Sequence, residues 1–430
     1  IVVDDGSTDE SAERLTRIAG ITAHRNAENL GFVGSCNAGA ALARGEYLVF
    51  LNNDTQVAPN WLDTLLDTFD QHPRVGLVGS KLVYPDGRLQ EAGGIVFSDG
   101  SGWNYGRFGD PRDPACNFVR EVDYCSGAAI AIPRALFERR GGFDARYAPA
   151  YYEDTDLAFQ VREAGLRVLY QPASTVFHFE GVSAGTDTTT GMKKYQVINQ
   201  QKFLERWASV LPKQPQPGTS IALAREHRVG RRVLIVDATT PHPDEDSGSV
   251  RMVNLMQLLV ALGDKVYFFA ENRAFDGRYS EALQQIGVEV LYHPWMSEPM
   301  RWLRENGAQF DAVILSRHYV AAPLLQAVRH YAPQAKLVFD TVDLHYLREE
   351  REAALADRED LRRQAASTKL AELRLIRQSD VTLVVSPIEQ ELLQREVPGA
   401  RIEVLSNVHE VVGLRAGFEQ RKDLFFVGGF

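Results

Sequence analysis

The feature that most constrains this chain is an alternation of short apolar runs with helical stretches, and it occurs twice. "IVV", "YLVFL" and "VGLVGSKLVY" have the length and composition of strands, while "DESAERLTRIAG" and "PNWLDTLLDTFDQH" read as helices. Such alternation predicts an α/β sheet. The run at 47–51 is short and continuously apolar, which predicts a strand buried on both faces, as in a parallel sheet. Residues 211–220, "LPKQPQPGTS", hold three prolines and a glycine with hardly an apolar side chain, so a linker is expected there. The alternation then resumes in "VLIVDA", "KVYFFA", "VEVLYH", "DAVILS", "KLVFDT", "VTLVVS" and "IEVLSN". A chain of 430 residues can hold two or three domains. The expected division is 1–210, a linker at 211–230, and 231–430.

Two further stretches carry structural expectations. Between residues 89 and 122 the texture changes to Gly, Asp, Pro and aromatics, which predicts a long irregular excursion. From about 346 to 378 the chain is rich in Ala, Leu, Glu and Arg, as one long amphipathic surface helix would be. Both ends of the sequence fall in strand-like runs, so a fragment of a longer polypeptide is expected.

Composition narrows the function classes. A net charge of −10 argues against a general nucleic-acid binder, which would carry a basic face. No apolar run approaches the roughly 18 residues that span a bilayer, and none of the residues from Ile1 onward is expected to be a signal peptide. The three cysteines, Cys36, Cys116 and Cys125, lack metal-ligand spacing, and a reducing cytoplasm is the simple expectation.

Chemistry-bearing residues gather at the ends of the predicted strands. "VVDDGSTD" ends a strand in Asp4 and Asp5, which suits hydrogen bonding to a nucleobase or ribose and equally suits a helix start. In "NLGFVGSCNAGAALARG" small residues dominate, as close packing against a sheet or ligand requires. "YLVFL" runs into Asn52, Asn53 and Asp54, which favour a turn or could meet a metal and a phosphate beyond the strand. In "YYEDTDL", Glu153, Asp154 and Asp156 open a helix; the macrodipole favours acids there, and a general base also needs a carboxylate. His178 ends a strand, as a structural residue or as a ligand for an ion such as Mn²⁺.

Taken together and in this order, "VVDDGSTD", "NLGFVGSCNAG", "LNNDT", "GGFD…YYEDTDL" and "H-x-x-G-x-S" resemble the family 2 glycosyltransferases with a GT-A fold, especially the rhamnosyltransferase-like branch, over residues 1–205. The resemblance implies that Asp5, with Asp4 beside it, contacts the base and ribose of a nucleoside-diphosphate-sugar donor. It implies that "NND" stands for the DxD motif, with Asp54 on a Mg²⁺ or Mn²⁺ ion and Asn52 toward the ribose or sugar. Asn52 departs from a strict DxD by replacing its first acid. Asp154 is then the catalytic base with Glu153 in support, and His178 completes the metal site. The implied reaction is inverting transfer to a glycan or lipid-linked acceptor in bacterial surface polysaccharide synthesis. The family's first strand and helix would precede Ile1.

Residues 231–430 resemble the N-terminal Rossmann-like domain of family 4 glycosyltransferases, which have the GT-B fold, through "VFDTVDLHYLREEREA", "VTLVVSPIEQELL", "IEVLSNVHE" and "FFVGGF". There Gly248 and His345 would face a cleft, although His345 also suits a local hydrogen bond at a helix entry. A G-x-G-x-x-G fingerprint is absent, which disfavours a dehydrogenase. Two other readings stay open: a sugar-1-phosphate nucleotidyltransferase, and a non-catalytic nucleotide- or carbohydrate-binding module. The basic run "REHRVGRR" at 225–232 is expected to be a solvated linker, with peripheral contact to anionic lipid as the alternative.

Overall fold

The apolar run at 47–51 does form a strand, but one that lies at the end of its sheet. In the computed structural model, which describes residues 1–179, 194–409, 413 and 416–422, the chain divides into two units, Ile1–Arg228 and Val229–Phe430. The strands of the first unit are β1 (Val2–Asp4), β2 (Ala23–Arg25), β3 (Tyr47–Leu51), β4 (Thr55–Val57), β5 (Val75–Val83), β6 (Leu89–Glu91), β7 (Gly94–Val96), β8 (Gly102–Asn104), β9 (Arg120–Glu121), β10 (Ala129–Pro133) and β11 (Arg167–His178). Its helices are α1 (Ser11–Leu15), α2 (Gly31–Leu42), α3 (Trp61–Gln71), α4 (Arg134–Arg139), α5 (Glu153–Glu163), α6 (Lys194–Arg206) and α7 (Ile221–Ala224).

The main sheet runs β3-β10-β5-β11-β4 and is mixed, with β5 and β11 its parallel pair. β3 pairs antiparallel with β10, Leu48 opposite Ile132 and Phe50 opposite Ile130. Leu48 and Phe50 are buried, whereas Leu51 is 42% exposed. The expectation is corrected in part: the pairing is antiparallel, and the second face is only half-buried, with Tyr47 against Phe69 and Val49 against the Leu65 and Val78 cluster. β1 and β2 form a parallel pair of their own.

The stretch 89–122 is the irregular excursion expected only in part: 105–119 holds turns and one short 3-10 turn, while four short strands lie around it. β6 pairs with β5, β7 and β8 form a hairpin, and β9 pairs with β11. Its glycines serve close packing rather than looseness. A Cβ on Gly94 would fall 2.0 Å from the Tyr124 ring, so only glycine lets that ring cross the strand.

The expected linker at 211–230 lies against the first unit as far as Arg228. Leu211 is buried, the Ser98 amide donates to the Pro215 carbonyl at 2.9 Å, and Ser220 caps α7. The basic run does not present a free cationic surface. Asp123, 3% exposed, takes Arg162 at 3.0 Å, Arg228 at 2.9 Å and His227 at 3.1 Å on one oxygen. Its other oxygen accepts from the Val96 amide. A buried carboxylate demands such donors, and the tail supplies them. Arg225 donates to the Tyr105 hydroxyl and the Ala115 carbonyl.

The second unit is built on β12 (Arg232–Asp237), β13 (Lys265–Ala270), β14 (Glu289–Val290), β15 (Ala312–Ser316), β16 (Lys336–Asp340), β17 (Val381–Val384) and β18 (Ile402–Val404). The order is β14-β13-β12-β15-β16-β17-β18 and every pairing is parallel. That reversal of order at β12 is the doubly wound arrangement. Its helices are α8 (Ser247–Ala261), α9 (Gly277–Gln285), α10 (Pro299–Asn306), α11 (His318–Tyr331), α12 (His345–Ala356), α13 (Glu359–Gln378) and α14 (Pro387–Glu396). The single long helix expected at 346–378 is two, because Asp357 adopts a left-handed conformation (φ 50°) and ends α12. The closing "FFVGGF" motif lies outside the described residues, as do Gly181 and Ser183 of "H-x-x-G-x-S". Among the described residues no helix is long and apolar enough to cross a membrane.

Candidate active site

Four separated segments of the first unit meet at one short loop, Ser126–Gly127–Ala128, which leads into β10. The Asn52 amide donates to the Ala128 carbonyl at 2.9 Å, tying the end of β3 to the loop. One residue earlier, the Gly127 amide donates to Asp154 Oδ2 at 2.8 Å. Ser126 donates its own amide to Glu91 Oε1 at 2.9 Å. A Cβ on Gly127 would lie in ordinary contact with Asp154 and the Phe32 ring, which places the loop beside both.

Around Asn52 the turn is held by the Thr55 hydroxyl, which donates to the Asn52 carbonyl at 2.6 Å. Thr55 pairs with His178 across β4 and β11, and the Phe179 amide donates to the Asp54 carbonyl. This brings His178 Nε2 to 3.2 Å from Asp54 Oδ1 and 3.5 Å from Asn52 Nδ2. On the far side of the ring Nδ1 lies 3.2 Å from Gln90 Oε1. With that oxygen accepting from Nδ1–H, Nε2 keeps its lone pair. Asp54 Oδ1 is buried without a hydrogen-bond partner. Two acceptors thus face each other, an arrangement that a divalent cation would satisfy. Asn53 is exposed.

Glu153 and Asp154 begin α5. The residues before them, Tyr151 and Tyr152, have φ of 74° and 73°, a conformation costly for bulky side chains. Asn199 of α6 holds this turn: the two hydrogens of its buried NH2 are shared among the carbonyls of Tyr147, Ala150 and Tyr151 at 2.8, 2.9 and 3.0 Å. Asp154 Oδ1 accepts from the Thr155 amide at 2.6 Å and its hydroxyl at 3.1 Å. Burial raises the Asp154 carboxyl above the usual range even though the Gly127 and Thr155 hydrogen bonds pull it down. Glu153 is pushed well above its usual value by burial, then by the charge of Asp154. The pair therefore holds one proton more readily than two separate carboxylates would. Asp156, on the same turn, points into the core and accepts from Tyr147, Gln160, Arg206 and Trp207.

Asp4 and Asp5 are engaged differently. Asp4 accepts from the Ser7 amide at 2.8 Å and pairs with Arg25 at 2.9 Å; the Ser7 hydrogen bonds lower its carboxyl. Asp5 accepts from Asn26 at 2.7 Å and from the Leu30 and Gly31 amides at 2.8 Å each. Burial pushes Asp5 up, but these donors outweigh it and leave it lowered. Asp5 thus caps the N-terminus of α2 from outside the helix. The same helix start approaches the α5 turn, since the Val33 amide donates to the Pro149 carbonyl at 3.3 Å.

Sequence reasoning missed Ser126–Ala128, Gln90, Glu91 and Asn199. None carries a motif, and only the fold brings them in. Asn199→Ala is expected to reduce stability by about 1–3 kcal/mol, because three carbonyls lose their donor in a buried place. Urea unfolding measures this, and a midpoint equal to that of the parent chain would refute the assignment.

The first unit thus brings a carboxylate–imidazole pair and a buried carboxylate to neighbouring strand and helix ends. Residues 1–140 match the family model described as glycosyl transferase family 2. The match takes in Asp4 to Asp54 and the Ser126–Ala128 loop. The uncharacterized protein y4gI of Sinorhizobium fredii is 33% identical over 200 residues, 44% of this chain and 22% of its own length. The O-antigen biosynthesis protein RfbC of Myxococcus xanthus is 35% identical over 159 residues, 35% of this chain and 12% of its own. An N-acetylglucosaminyl-diphospho-decaprenol L-rhamnosyltransferase of Mycobacterium tuberculosis is 29% identical over 210 residues, covering 44% and 68%. The chain thus spans less than a quarter of the first two relatives.

Proposed function

We propose that the first unit is a GT-A glycosyltransferase that moves a sugar, with inversion, from a nucleoside diphosphate to a glycan or lipid-linked acceptor in surface polysaccharide synthesis. The observation that carries this reading is the Ser126–Ala128 loop, which joins Asn52 on one side to Asp154 on the other. A site for donor diphosphate and a site for a base are thereby adjacent. The matched family region and the named activities of the relatives support the same reading.

Asp54 and His178 are the residues that would hold a Mg²⁺ or Mn²⁺ ion, and their facing lone pairs fit one. When bound, such an ion neutralises the charge that develops on the departing diphosphate. Asp154 accepts the proton of the acceptor hydroxyl as that oxygen attacks the anomeric carbon. Burial and the charge of Asp154 raise the Glu153 carboxyl, which disfavours a second negative charge beside the base. The Gly127 amide holds Asp154 Oδ2 in place. Asp4 and Asp5 shape the donor pocket by fixing the turn into α2, with Asn52 and Asn53 at its other edge; base and ribose contacts of Asp4 and Asp5 belong to the same proposal and would share oxygens that already accept from Ser7, Arg25, Asn26, Leu30 and Gly31. One displacement with one base inverts the anomeric centre. The second unit is proposed to be the N-terminal half of a GT-B transferase, with Gly248 and His345 toward its cleft.

A panel of UDP, dTDP, GDP and CDP, each with Mn²⁺ or with EDTA, tests the donor site by thermal unfolding of the whole chain. One diphosphate should raise the first melting transition only with metal. At 100 times its dissociation constant it should add about 2.7 kcal/mol. No shift with any of the four would count against the reading, and pyrophosphate release from a nucleoside triphosphate would turn it toward nucleotidyl transfer.

A further inference from the structure

In the second unit, two neighbouring parallel strands end in backbone that ordinary residues avoid. Arg317 follows β15 at φ 67°, and Val342 follows β16 at φ 62°. A β-branched residue is a rare occupant of that region, and such strain survives where the surroundings hold it. The two turns deliver His318 and His345, the first residues of α11 and α12, to one place, with ring centroids 4.9 Å apart. Glu372 of α13 meets both. Its Oε1 lies 3.7 Å from His318 Nδ1 and 3.6 Å from His345 Nδ1.

The carboxylate cannot swing away from this position. It is fully buried, and its two oxygens accept from the His345 and Tyr346 amides at 3.1 Å each. His318 Nδ1 is buried and has no hydrogen-bond partner. A nitrogen in that state has lost water without replacement, which is costly unless something binds it. The three ligand atoms all lie within 4.8 Å of one another.

We propose that His318, His345 and Glu372 form a binding site for a divalent transition-metal ion of the Zn²⁺ class. Ligand atoms 3.6–3.7 Å apart are what an ion at about 2.0–2.1 Å from each would span. Two imidazoles with one carboxylate select such an ion over Mg²⁺ or Ca²⁺, which take oxygen. Without the ion, His345 Nδ1 has the Asp343 carbonyl at 3.1 Å and can share a proton there, which binding would displace. Three protein ligands leave a tetrahedral ion one further position. Both histidines sit at the carboxyl ends of parallel strands, where open α/β sheets take their ligands. A Cβ on Gly248 would meet Asp246, Val342 and Arg317, so that loop borders the same sheet end. This site is independent of the glycosyltransferase reading of the first unit.

The test uses the full chain carrying Asp54→Asn, so that the first unit's pair does not contribute. Calorimetric titration should find one tight Zn²⁺ equivalent, and Co²⁺ should give the visible absorption of a four-coordinate nitrogen and oxygen site. Adding His318→Ala should weaken binding more than about 100-fold, beyond the cost of disturbing an outer partner. The metal-free circular dichroism spectrum and melting should be unchanged, since the His318 Nδ1 has no hydrogen bond to lose. Absence of a tight equivalent, or an affinity unchanged by His318→Ala, would overturn the site and leave a proton-sharing histidine cluster. If His345→Ala does not fold, the His318 variant decides alone.

Discussion

Asp154→Asn should lower sugar transfer by about 10³-fold, within the range a positioned general base contributes. The amide keeps the shape but has one acceptor oxygen for the Gly127 and Thr155 amides, so one N–H loses its partner and melting should fall modestly, while donor binding should change little. What it loses is the ability to take the acceptor's proton. The pH profile separates this from a structural fault. Asp154 titrates above the usual carboxylate range because burial outweighs the Gly127 and Thr155 hydrogen bonds. The base works when ionised, so the rate should climb as pH rises through that elevated value and then level off. The residual rate of the variant should lack this limb. Equal rates in parent and variant at pH 7 would remove Asp154 from the mechanism.

Asp54→Ala should abolish the metal-dependent nucleotide shift and reduce transfer by about 10²–10³-fold, as loss of a charged partner at the diphosphate does. The substitution deletes the buried oxygen that faces His178 Nε2 at 3.2 Å. No hydrogen bond to that oxygen is lost, so the chain without nucleotide should melt close to the parent. Its backbone carbonyl still accepts from Phe179, which keeps the turn in place. Thermal unfolding with and without Mn²⁺ reads the effect directly. A shift of parental size in Asp54→Ala would mean that the metal, if used, is held elsewhere.

Much of the architecture was legible in the sequence because strand and helix types follow from local periodicity. The runs at 75–83 and 232–237 became β5 and β12, and the stretch 61–71 became α3. The failures share a cause. How deeply each face of a strand is buried, and in which direction its neighbour runs, depends on elements distant in sequence, and in β3 the neighbour is antiparallel and one face is only half-buried. Proline-rich polar texture at 211–220 looks like a linker until Asp123 is known to sit buried opposite the tail that follows. A glycine-rich stretch looks loose until the Tyr124 ring is found lying across Gly94.

For the site, the sequence by itself determined the reactive groups: carboxylates, amides and an imidazole at the ends of strands and the start of a helix. Only the tertiary structure decided what each of them is free to do. Asp5 and Asp156 meet several donors and are occupied by the fold. Asp54 Oδ1 faces His178 Nε2 without a hydrogen bond, and Asp154 meets the Gly127 and Thr155 donors beside Glu153, whose carboxyl burial raises. A carboxylate's chemistry is set by which donors and charges reach it, and those arrive from residues as distant in sequence as Gln90, Gly127 and His178. Local composition has no means of encoding that choice.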